Sequence, residues 1–169
     1  MTTSYANQIE LDRLKASAGA QFSQLLTDDG TDGGDASLAN TGNITVYVEG
    51  PKLVTRLSFV MTDATALQAA GLGSQASPSN PLIVRKRNAV TGEQKIFIAT
   101  LTSAGLLLFF ESNSADLIGS AFNFAGILHF ERMWGSPLVL LEDDRLEVNK
   151  NDDLSGLTRF NFYAAGHTI

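Results

Sequence analysis

The sequence predicts an all-β fold, an antiparallel β-sandwich or jelly-roll-like domain with an N-terminal helical or extended arm and one short helix. Three observations carry that prediction. Apolar and polar residues alternate with period two in several separate runs. The runs are short and end in Gly-, Asp- or Asn-marked turns, giving roughly nine or ten strands, the signature of sandwiches and barrels. The alternating strand–helix rhythm of a parallel sheet is missing. With 169 residues, 44% hydrophobic and 18% charged, the chain is long enough to bury one core.

In chain order, residues 1–26 form the arm, where Tyr5, Ile9, Leu14, Ala18, Phe22 and Leu25 recur at spacings of three to five. Thr27 to Asp35 packs four Asp and three Gly into nine residues, so 27–42 predicts a flexible acidic tether. The β domain then covers 43–169. Ile44, Val46 and Val48 alternate with Thr45, Tyr47 and Glu49, Gly50-Pro51 turns the chain, and Leu53, Thr55, Leu57 and Phe59 alternate again. Asp63 is placed to cap a helix over 64–70, ended by Gly71, and 73–81 is a loop.

Leu82–Arg87 and Glu93–Leu101 predict a hairpin through Asn88–Gly92. Leu106–Glu111 is apolar on both faces and predicts a segment buried between layers, followed by a polar loop at Ser112–Asp116. A strand from Phe122, interrupted at Gly126, and further strands at Ile127–Trp134, Leu138–Leu141, Arg145–Lys150 and Thr158–Ala164 complete the count.

Zero cysteines exclude disulfides, Cys-ligated zinc, iron–sulfur clusters and thiol catalysis. A formal charge of −6 argues against nucleic acid as the main partner, although four of the acids sit in the tether and five in the turns around Arg145–Lys150. The start lacks a basic and then apolar leader, and no apolar run approaches the ~20 residues of a membrane span, so neither secretion nor membrane insertion is expected.

His129, Glu131 and His167 have the order of a two-His, one-carboxylate iron site on a jelly roll, and period two would set His129 and Glu131 on one strand face. The plainer reading is that this is the less apolar face of the strand, opposite Leu128 and Phe130. Asp28, Asp29, Asp32 and Asp35 are of the right type for Ca²⁺ but miss the EF-hand spacing and read as solvated connector. Gly71-Leu72-Gly73-Ser74-Gln75-Ala76 matches a dinucleotide fingerprint in letters alone, with the wrong elements around it. Arg85 and Arg87 share a strand face, as an edge guard or as partners for an acidic neighbour. Trp134 before Gly135-Ser136-Pro137 suits core or interface, or stacking on a sugar together with Tyr47 and Tyr163.

The last third runs Trp134-Gly135-Ser136-Pro137-Leu138, Glu142-Asp143-Asp144-Arg145-Leu146, Asp152-Asp153-Leu154-Ser155-Gly156-Leu157, an aromatic strand from Thr158, and Ala164-Ala165-Gly166-His167. Over about 35 residues this resembles small virion structural proteins of tailed bacteriophages, including capsid decoration or cement proteins. The resemblance implies a non-enzymatic protein of the virion, assembled in the host cytoplasm. It also implies binding to the major capsid protein or other virion subunits, as a homo-oligomer with a trimer favoured, and no cofactor, metal, nucleic acid or membrane. The candidate partner-binding residues are Tyr5, Ile9, Leu14, Phe22, Leu25, Arg85, Arg87 and Trp134. The alternatives are a receptor- or glycan-binding module of a tail or fibre and, more remotely, a jelly-roll metal-dependent enzyme.

Overall fold

A computed structural model of the protein describes residues 13, 16, 19–31, 33–63, 79–100, 102–118 and 121–169. Along the chain run β1 (Gln21–Leu25), β2 (Ile44–Glu49), β3 (Lys52–Asp63), β4 (Leu82–Asn88), β5 (Gln94–Thr100), α1 (Ser103–Phe109), β6 (Glu111–Ile118), β7 (Ala121–His129), α2 (Phe130–Trp134), β8 (Leu138–Leu140), β9 (Asp144–Lys150) and β10 (Leu157–Thr168). The strands form two antiparallel sheets, one in the order β1-β10-β3-β7-β6 with β8 also on β3, the other β2-β9-β4-β5. They pack face to face as an all-β sandwich. β2 and β3 are consecutive but lie in different sheets, so the Gly50-Pro51 turn is the crossing between layers.

Period two sets the core. Val46, Val48, Val84, Ile98, Leu146 and Val148 of the smaller sheet are buried against Leu57, Phe59, Met61, Phe124, Phe160 and Phe162 of the larger. Phe59 is the hub, with ring centroids of Phe110, Phe124, Phe162 and Phe160 at 4.9, 5.4, 5.6 and 5.8 Å. Gly126 does not interrupt β7. A Cβ there would lie 2.8 Å from atoms of Phe59 and Phe110, so glycine makes room for the hub while the strand continues.

Several sequence expectations change. Leu106–Phe109 belongs to α1, capped by the Thr102 side chain accepting from the Gly105 N–H. Leu106 and Phe110, four apart, are buried while Leu108 is exposed, a helical pattern hidden in an unbroken apolar run. Ser112–Asp116 is part of β6 and pairs with β7. The run Ile127–Trp134 divides: β7 ends at His129, α2 follows, and Gly135 closes it at φ 78° with its N–H donating to the Glu131 carbonyl. That break lets β7 and then β8 use the same edge of β3.

Residues 21–26 do not end an arm. β1 pairs along its whole length with β10, and Leu26 is buried with its N–H donating to the Phe162 carbonyl. The tether is likewise bound to the domain where it is described. Leu38 is buried and its N–H donates to Phe160, the Asn40 carbonyl accepts from Leu154, and Thr27 bridges Tyr47. Its carboxylates are used on its own backbone: Asp28 accepts from the Asp35 N–H, Asp29 from Thr31, and Asp35 from Ser37. The expected helix over 64–70, the glycine pattern at 71–76, and Tyr5, Ile9 and Leu14 lie outside the described residues.

Buried acids fasten the sandwich. The Asp144 carboxylate accepts from the Leu141 N–H and the Asn88 amide and pairs with the Lys86 ammonium at 2.6 Å, while Lys86 also donates to the Val139 carbonyl of the other sheet. Asp152 accepts from the N–H groups and side chains of Ser79 and Asn80. Burial alone would raise both carboxyls, but these donors outweigh it and hold them below the ordinary aspartate value. A depressed folded pKa adds stability above the unfolded value and loses it as pH falls through the folded one. The urea midpoint should therefore drop below about pH 4, and Asp152→Asn should flatten that acid limb. An acid limb of unchanged slope in the variant would show that Asp152 does not contribute to it.

Candidate functional site

Three regions of the surface hold the side chains that the sequence singles out. On the outer face of the larger sheet, Arg56 of β3 stands opposite His129 of β7 and, across its other edge, opposite Ala165 of β10. His167, two residues further along β10, stands opposite Gln21 of β1. These side chains and Thr55 line one depression of about 370 Å³. The structure thus brings His129 and His167 to the same place but leaves Glu131 out. Glu131 lies on α2, so the strand period that would have aligned it with His129 ends two residues before it is reached. Among the described residues no three His, Cys, Asp or Glu side chains are grouped to hold a metal ion.

The outer face of the smaller sheet carries the arginines. Arg85 pairs with Glu147 at 2.8 Å, and Arg145 pairs with Glu49 at 2.7 Å while its guanidinium lies 4.3 Å from the Tyr47 ring centroid. Arg87 stands opposite Arg145 and is exposed. β4 is an interior strand of its sheet, between β9 and β5, so Arg85 and Arg87 are not edge guards. Arg85 is held within the domain by Glu147, leaving Arg87 as the arginine of that pair presented outward.

The third region lies along β5, an edge strand. α1 packs on β5, and the Phe97 ring meets Trp134 at 5.1 Å and Phe130 at 5.6 Å, drawing α2 to the same flank. Trp134 of α2 is 37% exposed, and Ile96 of β5, Leu108 of α1 and Met133 of α2 are 51%, 79% and 44% exposed. Lys95 lies over Phe97 at 5.4 Å and, with Pro137 and Val139, completes a groove of about 280 Å³. The sequence pointed to Trp134 but not to Ile96, Phe97, Leu108 or Met133. Ile96 was not legible, because at period two it shares the face of buried Ile98 and its exposure follows the irregularity in the pairing with β4 that skips Phe97.

Other candidates are used by the fold. Phe22 packs against the core margin with the Lys52 ammonium 5.5 Å from its ring, and Leu25 is half-buried opposite Tyr163. The Tyr163 hydroxyl accepts from Arg159 at 2.7 Å, and Tyr47 is covered by Arg145, so both tyrosines are engaged within the domain. No helix among the described residues is long and apolar enough to cross a membrane.

No protein-family model, curated protein or solved structure matches this chain.

Proposed function

We propose that the chain is a non-enzymatic structural protein of a tailed-bacteriophage virion, a capsid decoration or cement protein that binds the assembled head and stabilises it. The flank of β5, α1 and α2 carries this reading. It exposes four large apolar side chains along β5, α1 and α2, and β5 is an edge strand among the described residues. Large apolar side chains exposed on neighbouring elements are costly to leave in water, which supports contact with another protein. The core-and-rim form of such interfaces, with aromatic and Met residues central and charge outside, matches Trp134 and Met133 bordered by Lys95. The resemblance of the C-terminal third supports the same reading, and binding of the assembled state alone stabilises a shell by mass action.

The direct test is binding of purified protein to heads lacking it. Leu108→Asp, at a residue 79% exposed, should leave the melting curve of the free protein unchanged and lower head occupancy at least about tenfold. Trp134→Ala should do the same with some loss of stability. Full occupancy by both variants would remove this flank from the interface.

Tyr5, Ile9 and Leu14 are proposed as further contacts. Removing residues 1–18 is the deletion that isolates them, because cutting at 26 would also take β1 out of the larger sheet. The expected result is a folded protein with reduced occupancy and a lower head melting temperature. Unchanged values would take residues 1–18 out of the proposed interface.

A further inference from the structure

The depression between β3, β7 and β10 is unused by the proposed head-binding flank, and its chemistry is of one sign. We propose that it is an oxyanion site for a phosphate group, held by Arg56, His129 and His167.

Arg56 and His129 are a directly opposed cross-strand pair, which sets their Cβ atoms about 5 Å apart. On its other side Arg56 faces only the methyl group of Ala165, and Gly166 follows, so β10 puts almost no side chain between Arg56 and His167. The result is a hollow floored by Ala165 and Gly166 with a nitrogen-bearing side chain contributed by each of three strands. Thr55 and Gln21 complete its polar lining, and among the described residues no carboxylate borders it.

Two further facts give this a direction. The side chains of Arg56, His129 and His167 have no hydrogen bond, ion pair or ring contact among the described residues, whereas those of Arg85, Arg145 and Lys86 on the other sheet are each paired with an acid. The chain as a whole carries −6, so three basic side chains converging with no acid among the described residues stand against the general charge. Guanidinium pairs with phosphate through a bidentate fork, and imidazole donates from a second direction. Donors arriving from three strands suit a tetrahedral anion, which offers oxygens on several sides, better than a flat carboxylate, which the Arg fork alone would satisfy.

The experiment is an NMR titration of the full chain with inorganic phosphate, phenyl phosphate and acetate at constant ionic strength, set by chloride. The expected result is saturable, one-to-one binding of phosphate, with shifts confined to β1, β3, β7 and β10, and at least about tenfold weaker binding of acetate. Arg56→Gln should weaken phosphate binding at least about tenfold, and His129→Gln and His167→Gln several-fold each. Equal affinity for the free ion and its phenyl ester would assign the site to the phosphate group alone, and tighter binding of the ester to a phosphomonoester of a larger molecule. Non-saturable shifts, acetate binding as tightly as phosphate, or Arg56→Gln binding like the unaltered chain would overturn the proposal. Arg56 and the histidines point outward from the sheet, and an unchanged spectrum elsewhere in each variant verifies that it is folded.

Discussion

Phe59→Ala is expected to cost about 3–5 kcal/mol, the largest loss of any single truncation in the core. The side chain is fully buried, and its ring touches four others drawn from α1's C-terminal end, β7 and β10. Its removal takes away the transfer free energy of the ring and leaves a cavity that rigid aromatic neighbours cannot close. For a domain of this size the melting temperature should fall by roughly 6–20 °C. Phe97→Ala is the comparison, since that ring lies at the half-buried margin and should cost clearly less. Losses of equal size would show that the interior is not organised around Phe59.

Gly166→Ala should be the most damaging addition of a single methyl group. The new Cβ would lie 1.9 Å from the Leu53 carbonyl oxygen and 3.0 Å from the Val54 Cα, both backbone atoms of the adjoining strand. Side chains can rotate away from such a clash, but here β10 and β3 would have to part, and they are the central pair of the larger sheet. A destabilisation of about 3 kcal/mol, at the upper end for overpacking, is expected in urea unfolding. Gly33→Ala, with nothing within 4 Å of the added atom, should be close to neutral. Equal stability of the two variants would contradict the tight approach at Gly166.

The strands that the sequence made legible are those with one face in the core and one in water. β2, β4 and β9 are bounded within a residue of the reading, whereas β3 and β10 run about four residues past the Phe59 and Ala164 ends read for them, to Asp63 and Thr168. The failures have separate physical causes. Leu106–Phe110 is too short and too uniformly apolar for its period to be read, and the cap that marks the helix is Thr102, outside the run. β6 has the composition of a loop, Ser-Asn-Ser-Ala-Asp, and is a strand because β7 supplies its pairing.

β1 shows the same dependence on a partner. Phe22 and Leu25 are spaced for a helix, but the β10 edge offers five residues of ladder that no local pattern encodes. The acid-rich turn of Asp28, Asp29 and Asp35 looked like solvated linker because its composition is that of one. Its order comes from side-chain bonds back to its own amides and from the anchors at Leu26 and Leu38. At the surface, Trp134 was visible as a lone large aromatic, whereas the Arg56–His129–His167 hollow depends on which strands are neighbours. Order within a sheet is a property of the whole chain, and no window of sequence holds it.

The central claim is that this protein acts by binding an assembled head through the β5, α1 and α2 flank. Quantitative co-sedimentation of the intact chain with heads and, separately, with tails of the same phage tests it most directly. The account predicts saturable binding to heads at a fixed number of copies per capsomer, raised head melting, and loss of both with Leu108→Asp. Binding to tails and not heads, or head binding indifferent to Leu108→Asp, would contradict it.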